Sequence, residues 1–249
     1  MKHKQQSQKH IFSFYCPRSI QVSWFAGSTI WLQDQDLIHR LIKVIKIQKD
    51  DEFVLFDKKQ HVGLHVLAVL KKEIQVCIVS IQSNVVLQPK ITYLLPLLKK
   101  DALEQAVYSL AEIGVSEICL VITAKSRQSL MSEKELQRLC SIIIAAAEQS
   151  KNYVFPELLE PQELSEAVSG LSLSASKIVF DASGESFFDV RTKLKDLPEV
   201  ALLVGPEGGL MQEELSLLEN QNFQMCELTQ TTLRAVQAVA VSAALFRLS

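Results

Sequence analysis

Residues 201–215 read ALLVGPEGGLMQEEL. An apolar run, EVALLV at 199–204, halts at Gly205-Pro206, passes through an acid and two glycines, and resumes as MQEELSLLEN, a predicted helix. Its acids fall in the first turn, where the helix dipole favours them. A strand that enters a glycine turn and leaves as a helix is the repeating unit of a parallel α/β sheet. Gly205–Gly209 is longer than a plain strand-to-helix turn requires, and ligands of open α/β sheets sit outside the carboxyl ends of strands. The loop is not a P-loop, because it lacks the Gly-Lys-Ser/Thr ending and Glu207 would repel a polyphosphate. It is not GxGxxG either. What remains is a rigid loop with backbone amides and carbonyls, one acid and little side-chain bulk. Such a loop suits a flat heterocycle with a neutral or cationic tail. The alternative is a tight turn with Gly209 near a helix N-cap.

The flanking sequence continues the same rhythm. ITYLLPL at 91–97 is a predicted strand, 101–113 a helix closed by Gly114 at the left-handed C′ position, and 116–123 a strand. Residues 133–150 form a predicted helix, 176–183 and 225–228 strands, and 233–248 a final helix. That last helix places Leu233, Val236, Ala240, Ala243 and Ala244 on one face. Strands alternating with helices predict a parallel sheet covered on both sides. Before residue 84 the rhythm differs. Segments near Trp31 and at 52–56, 62–70 and 73–81 read as short strands separated by polar turns, with one helix over 35–45. This predicts a small β-barrel or curled sheet with a helix. Ser83-Asn84 and Gln88-Pro89 mark a boundary between domains 1–84 and 85–249.

Composition is that of an ordinary globular chain: 249 residues, 48% hydrophobic and 22% charged. The longest apolar run, Ile142 to Ala147, is far short of the ~18 residues a membrane span needs. MKHKQQSQKH at the start has no apolar segment behind its lysines, so no secretory signal and no membrane partner are expected. The cysteines, 16, 77, 119, 140 and 226, include no CxxC pair, so neither a zinc site nor any other metal is expected. A reducing, cytoplasmic setting follows. Residues 1–90 hold 13 Lys and Arg against 7 Asp and Glu; the remainder holds 13 against 21. Either the two domains simply differ in surface, or the first meets a polyanion.

VGPEGG after a strand, the Leu-x-x-x-x-Leu-Arg segment at Leu228, Leu233 and Arg234, and the alanine-rich final helix resemble the SPOUT-class methyltransferases. Within them the chain resembles the family that methylates a uridine of small-subunit (16S) ribosomal RNA on ring N3. Most of the chain takes part: His39, Val44 and Lys46 with FVLFD at 53–57, then Lys99, Glu104, Glu112 and Gly114, then Arg127, Arg138, and AAAEQSKNYVFPEL with Glu148, Gln149 and Pro156. The resemblance implies a PUA-like β-barrel followed by a trefoil-knotted α/β domain, a homodimer, S-adenosyl-L-methionine as cofactor and ribosomal RNA of the small subunit as partner.

By the same resemblance, Leu203, Gly205, Glu207, Gly208, Leu228, Thr229, Thr232 and Leu233 form the cofactor cup. Arg234 is the implied catalytic residue, binding a phosphate or stabilising a developing uracil anion. Arg18, Lys46, Lys99, Arg127, Arg138 and Gln149 are the implied RNA contacts. The departures are concentrated: Thr229 replaces a glycine, Thr231 an arginine, and Val236-Gln237 a Glu-Thr pair. Asn152, Ser109 and Leu139 stand where arginine, lysine and tryptophan are usual. Two readings follow: an active, divergent RNA methyltransferase, or an RNA-binding assembly factor that kept the fold and lost turnover. A nucleotide hydrolase is disfavoured, because no Walker or nucleophile-elbow motif is present.

Overall fold

The computed structural model describes residues 11–17, 20–21, 23–126, 131–191 and 197–248. The chain divides into two compact units, Met1–Val85 and Val86–Ser249.

In the first unit β1 (Phe12–Tyr15), β2 (Thr29–Leu32), β3 (Glu52–Phe56), β4 (Gln60–Val69) and β5 (Ile74–Ser83) form one sheet in the order β1-β3-β4-β5-β2. β1 runs parallel to β3; the other pairings are antiparallel. No pairing among the described residues joins β1 to β2, so the sheet has two edges. Alternation sets its inner face: Val62, Leu64 and Val66 of β4 and Ile74, Val76 and Ile78 of β5 are all buried. The predicted helix over 35–45 changes character midway. Only α1 (Gln35–His39) is α-helical; Arg40–Ile45 widens into a π-helical turn that Lys46 ends in the left-handed region. Asp34 caps α1, its carboxylate accepting from the Leu37 amide at 2.9 Å.

The second unit is a six-stranded, wholly parallel sheet in the order β11-β9-β10-β6-β7-β8. Its strands are β6 (Lys90–Pro96), β7 (Glu117–Ile122), β8 (Glu157–Glu163), β9 (Ser176–Ser186), β10 (Glu199–Val204) and β11 (Gln224–Glu227). Its helices are α2 (Lys100–Ile113), α3 (Glu133–Ser150), α4 (Leu164–Ser169), α5 (Phe187–Val190), α6 (Gln212–Asn220) and α7 (Ala235–Ala244). Leu94, Val121, Val179 and Leu203 form a core with Leu164 and Val168 of α4 and Leu218 of α6. α7 packs on β10 and on α2, which packs on α3. The sheet is thus a mixed α/β layer with helices on both faces. From β8 the chain crosses to the far side of β6, lays down β9, and then inserts β10 between β9 and β6.

β8 and α4 went unassigned in the sequence because ELLEPQE carries acids and a proline. Those residues suit an edge strand, and among the described residues β8 pairs with β7 alone. α7 departs from its prediction in length and in face. It spans Ala235–Ala244, and its buried residues are Ala235, Val239, Ser242 and Ala243. Of the predicted stripe only Ala243 is fully buried. Small side chains let α7 approach closely, and the buried Ser242 hydroxyl meets the Tyr93 hydroxyl of β6 at 2.7 Å while donating to the Val239 carbonyl at 3.0 Å. No helix among the described residues is long and apolar enough to cross a membrane.

Candidate functional site

At the carboxyl edge of the parallel sheet, β9, β10 and β11 border a cleft of about 760 Å³. Its lining comprises Phe180–Ala182 of β9, the loop after β10, the segment from Glu227 to Leu233, Ala102 and Gln105 of α2, Arg234, and the first turn of α7.

The glycine loop is held from within and from outside. The Gly209 amide donates to the Pro206 carbonyl at 2.8 Å, closing a β-turn, and Gly209 has φ +70°, a conformation glycine adopts without strain. Lys125, in the turn after β7, donates its ammonium to the carbonyls of Gly208 at 2.9 Å and Leu210 at 3.4 Å. Glu214 of α6 accepts from the Ala124 amide at 2.8 Å and from the Met211 amide at 2.7 Å. The loop is therefore tied to the end of β7 by an ammonium and a carboxylate. The tight turn places Gly209 two residues before Met211, the N-cap of α6, as the alternative reading of the loop expects.

The ladder between β11 and β9 explains how β9 reaches the cleft. Met225 lies opposite Val179 but Cys226 lies opposite Glu185, so Phe180–Gly184 runs out of register. The Asp181 carboxylate holds this excursion by accepting from the Ser183 amide at 3.0 Å and hydroxyl at 2.6 Å. Cys226 beneath it is fully buried, and burial together with nearby Glu185 pushes its thiol up to about 11.

Of the residues singled out in the sequence, Gly205, Glu207, Leu228, Thr229, Thr232, Leu233 and Arg234 all line the cleft. Leu203 and Gly208 do not. Leu203 is buried in the core, and the Gly208 carbonyl faces Lys125. Thr229 is exposed and donates its hydroxyl to the Thr231 carbonyl at 2.6 Å, a local turn that glycine could not make. Arg234 is extended and exposed at the N-cap of α7. Lys99 is exposed at the N-cap of α2, its amide 3.5 Å from a Glu207 carboxylate oxygen. Gln149 is exposed near the end of α3, and Lys46 is exposed in the first unit. Arg138 is engaged: its guanidinium clasps Glu104 of α2 through two hydrogen bonds of 2.6 and 2.7 Å, which holds the Glu104 carboxyl below its usual range. Arg18 and Arg127 lie outside the described residues. Two departures from the family pattern have structural explanations. The Asn152 amide donates to the Ala111 carbonyl at 2.9 Å, closing the end of α2, and Leu139 is buried.

Sequence reasoning missed Ala102, Gln105, Phe180, Asp181, Ala182, Lys125 and Glu214. Phe-Asp-Ala-Ser at the carboxyl end of a predicted strand was the available signal for the β9 contribution. The α2 residues carried none, because their role depends on the packing of α2 against α7.

The model of the RNA methyltransferase domain matches residues 86–247. The chain is 27% identical over 218 residues to the ribosomal RNA small subunit methyltransferase E of Aquifex aeolicus, covering 86% of this chain and 91% of that one. It is 27% identical over 211 residues to the protein of the same name from Synechocystis, covering 83% and 69%. Its fold resembles the ribosomal RNA small subunit methyltransferase E of Neisseria gonorrhoeae, solved bound to S-adenosyl methionine, with a TM-score of 0.82 at 22% identity over 96% of this chain and 97% of that one.

Proposed function

The chain belongs to the RNA methyltransferase family, and on that premise we propose that it transfers a methyl group from S-adenosyl-L-methionine to ring N3 of a uridine in small-subunit 16S ribosomal RNA. The observation that carries this reading is the cleft itself. It joins the Val204–Gly209 loop to the Leu228–Arg234 segment at the carboxyl edge of a parallel sheet, where such sheets take their ligands.

The residues fit the cofactor. Ligand clefts of about 300–1,000 Å³ bury most of a small molecule, and this one lies in the upper part of that range. Val204, Pro206, Leu228 and Leu233 offer apolar surface to a flat ring, while backbone groups of the two loops offer hydrogen bonds. Asp181, Glu207 and Glu227 complement a cationic group, and Arg234 complements a carboxylate or phosphate. When bound, S-adenosyl-L-methionine supplies an electrophilic methyl carbon. Lys125 and Glu214 keep the glycine loop in one shape, and that rigidity supports alignment of the two reactants, an effect worth several kcal/mol (roughly 7–11 at its limit). Arg234 faces the acceptor and stabilises the negative charge that gathers on uracil as its N3 proton departs. The base must be single-stranded or flipped for this edge to be reached.

The finer parts of the proposal rest on the family resemblance. The first unit is a PUA-like RNA-binding domain and the second a SPOUT domain. The second is trefoil-knotted, a reading supported by the insertion of β10 between two strands already laid down. The protein acts as a homodimer in the cytoplasm. Lys46, Lys99 and Gln149 contact RNA, as do Arg18, Arg127 and Arg138.

Calorimetric titration with S-adenosyl-L-methionine tests the cup, beside a Thr232→Trp variant whose bulk fills the cleft from an exposed position. Saturable binding by the wild type alone is expected. Transfer of labelled methyl to unmodified small-subunit particles, with recovery of 3-methyluridine from the digest, then tests the reaction. The loss of charge at Thr231 and Val236 favours a second reading, an assembly factor without turnover. Cofactor binding with no methyl transfer to any RNA would establish it instead.

A further inference from the structure

The cleft takes part of its lining from the stretch where β9 leaves its ladder. Phe180 is the last residue of β9 in register with β10, opposite Val204, and Phe180, Asp181 and Ala182 all line the cleft. The excursion runs on through Gly184, and beyond it Phe187 opens α5. Phe180 and Phe187 thus bracket the excursion, and their rings meet, with centroids 5.5 Å apart at an interplanar angle of 55°. Both side chains are buried. A third ring comes from the end of the chain. Phe246, half-buried in the turn after α7, stands edge-on to Phe187 with centroids 5.6 Å apart at 63°. Aromatic rings favour tilted and edge-on contacts at about 4.5–7 Å.

The next residue fixes Phe246. Arg247 donates from Nη1 to the Pro89 carbonyl at 2.7 Å and from Nη2 to the Gly114 carbonyl at 2.8 Å. Pro89 leads into β6, and Gly114 closes α2 in the left-handed conformation. The guanidinium therefore sits at the negative end of the α2 dipole. Burial pulls it below its ordinary value, and its buried Nε has no hydrogen-bond partner. Desolvating a cation is costly, and two short bonds to carbonyls offset that cost only in this geometry. The tail is thus held at one place on the sheet while its ring reaches toward another.

We infer that Phe246 is a positioning residue for the cofactor cleft: latched by Arg247, its ring holds Phe187 against Phe180 and so fixes the excursion that brings Phe180, Asp181 and Ala182 to the donor. This rests on the methyl-transfer reading given above. The excursion has ties of its own, the bonds from the Ser183 amide and hydroxyl to the Asp181 carboxylate. Those bonds set the shape of the turn, but both partners lie within it, so they do not set its place against the cleft. The ring contacts do, because Phe187 and Phe246 stand outside the turn. Groups that are not held in place before binding must be ordered by the ligand, at a loss of affinity. The final residues of the chain thereby act on the donor through two intervening rings.

The test needs no RNA. Hydrogen exchange of the free chain is compared for wild type, Phe246→Ala, Phe246→Tyr and Arg247→Met. Val168→Ala, a truncation in the core under α4 and away from the cleft lining, controls for general loss of stability. Amides of residues 181–186 are expected to exchange roughly tenfold faster in Phe246→Ala and Arg247→Met, and within about threefold of wild type in Phe246→Tyr, which keeps the ring. Each protein is then titrated with S-adenosyl-L-methionine. Phe246→Ala is expected to weaken donor binding about tenfold in the wild-type background and less than about twofold in a Phe180→Leu background, because the second substitution removes the ring through which the first acts. Val168→Ala moves neither readout by more than about twofold. Unchanged exchange at 181–186 in Phe246→Ala, equal donor losses in the two backgrounds, or equal effects in Val168→Ala would each overturn the inference. A wild type that binds no donor refutes the methyl-transfer reading and the donor clause with it, while the exchange result still decides whether the tail holds the excursion.

Discussion

Gly184 has no room for a side chain. A Cβ there would stand 2.5 Å from the Cys226 nitrogen and the Met225 carbonyl carbon, both backbone atoms that cannot swing aside. This is where β9 returns to the ladder after its excursion past the cleft, and Cys226 lies two residues before Leu228. Gly184→Ala is therefore expected to push β11 outward, at a cost of about 1–3 kcal/mol or more for overpacking. It should also disturb the segment that lines the cleft. Chemical denaturation and donor titration of the same variant check both effects; unchanged donor affinity together with unchanged stability would mean that the strands part freely. The half-buried Gly209, where an added Cβ would meet nothing within 4 Å, is limited only by its positive φ. The two glycines are adjacent to the same cleft for different reasons, one for close approach and one for backbone conformation.

Among the elements, the junction of β7 and β8 carries a conflict. Glu117 and Glu157 are directly opposite across the parallel pair. Burial first, and then the Glu157 charge, raise the Glu117 carboxyl above its ordinary value, against a hydrogen bond from Thr92. A carboxyl raised on folding favours the folded state fully below its unfolded value, and that benefit is lost as pH rises through the raised value. Glu117→Gln should therefore stabilise the protein at neutral pH, with the gain disappearing below about pH 4 as both states protonate. Thermal melts of the two proteins across that range test the sign, and a variant less stable at neutral pH would reverse the account. Elements also show how far the sequence could be read. α3 runs from Glu133 to Ser150 as its pattern predicts, because Ser132 and Glu135 form a reciprocal cap and the periodicity is strong. β6, β7 and β10 were legible as apolar runs buried on both faces, whereas the acid- and proline-bearing edge strand β8 was not. α7 was legible as a helix but not in its face, since a helix rich in alanine has nearly the same hydrophobicity all round. The loop residues of the cleft announced themselves through VGPEGG; the α2 residues take their place through tertiary packing and had no local signal.

The whole molecule is divided so that each unit has a core of its own, one built on Phe53, Leu55 and Val62, the other on Leu94, Val179 and Leu203. All of the cleft described above belongs to the second unit. A fragment comprising residues 86–249 is accordingly expected to fold and to bind S-adenosyl-L-methionine within about threefold of the full chain. On the proposed function, in which the cationic excess of the first unit meets RNA, its methyl transfer to small-subunit particles should fall by at least tenfold. Calorimetry and isotope transfer on fragment and full chain, at matched salt, separate the two roles. A fragment as active as the full chain would remove the first unit from the reaction.

The strand order also sets a timetable. Because β10 enters between β9 and β6, and α7 then covers it, the early residues Ala102 and Gln105 acquire their place in the cleft only when residues beyond 234 have been synthesised. Contacts so far apart along the chain form late. A nascent chain whose α7 has not yet emerged from the exit tunnel thus lacks its cleft, and on the proposed function it cannot modify the particle that is making it. On the same proposal, any stop codon before α7 yields a silent product rather than a weak one.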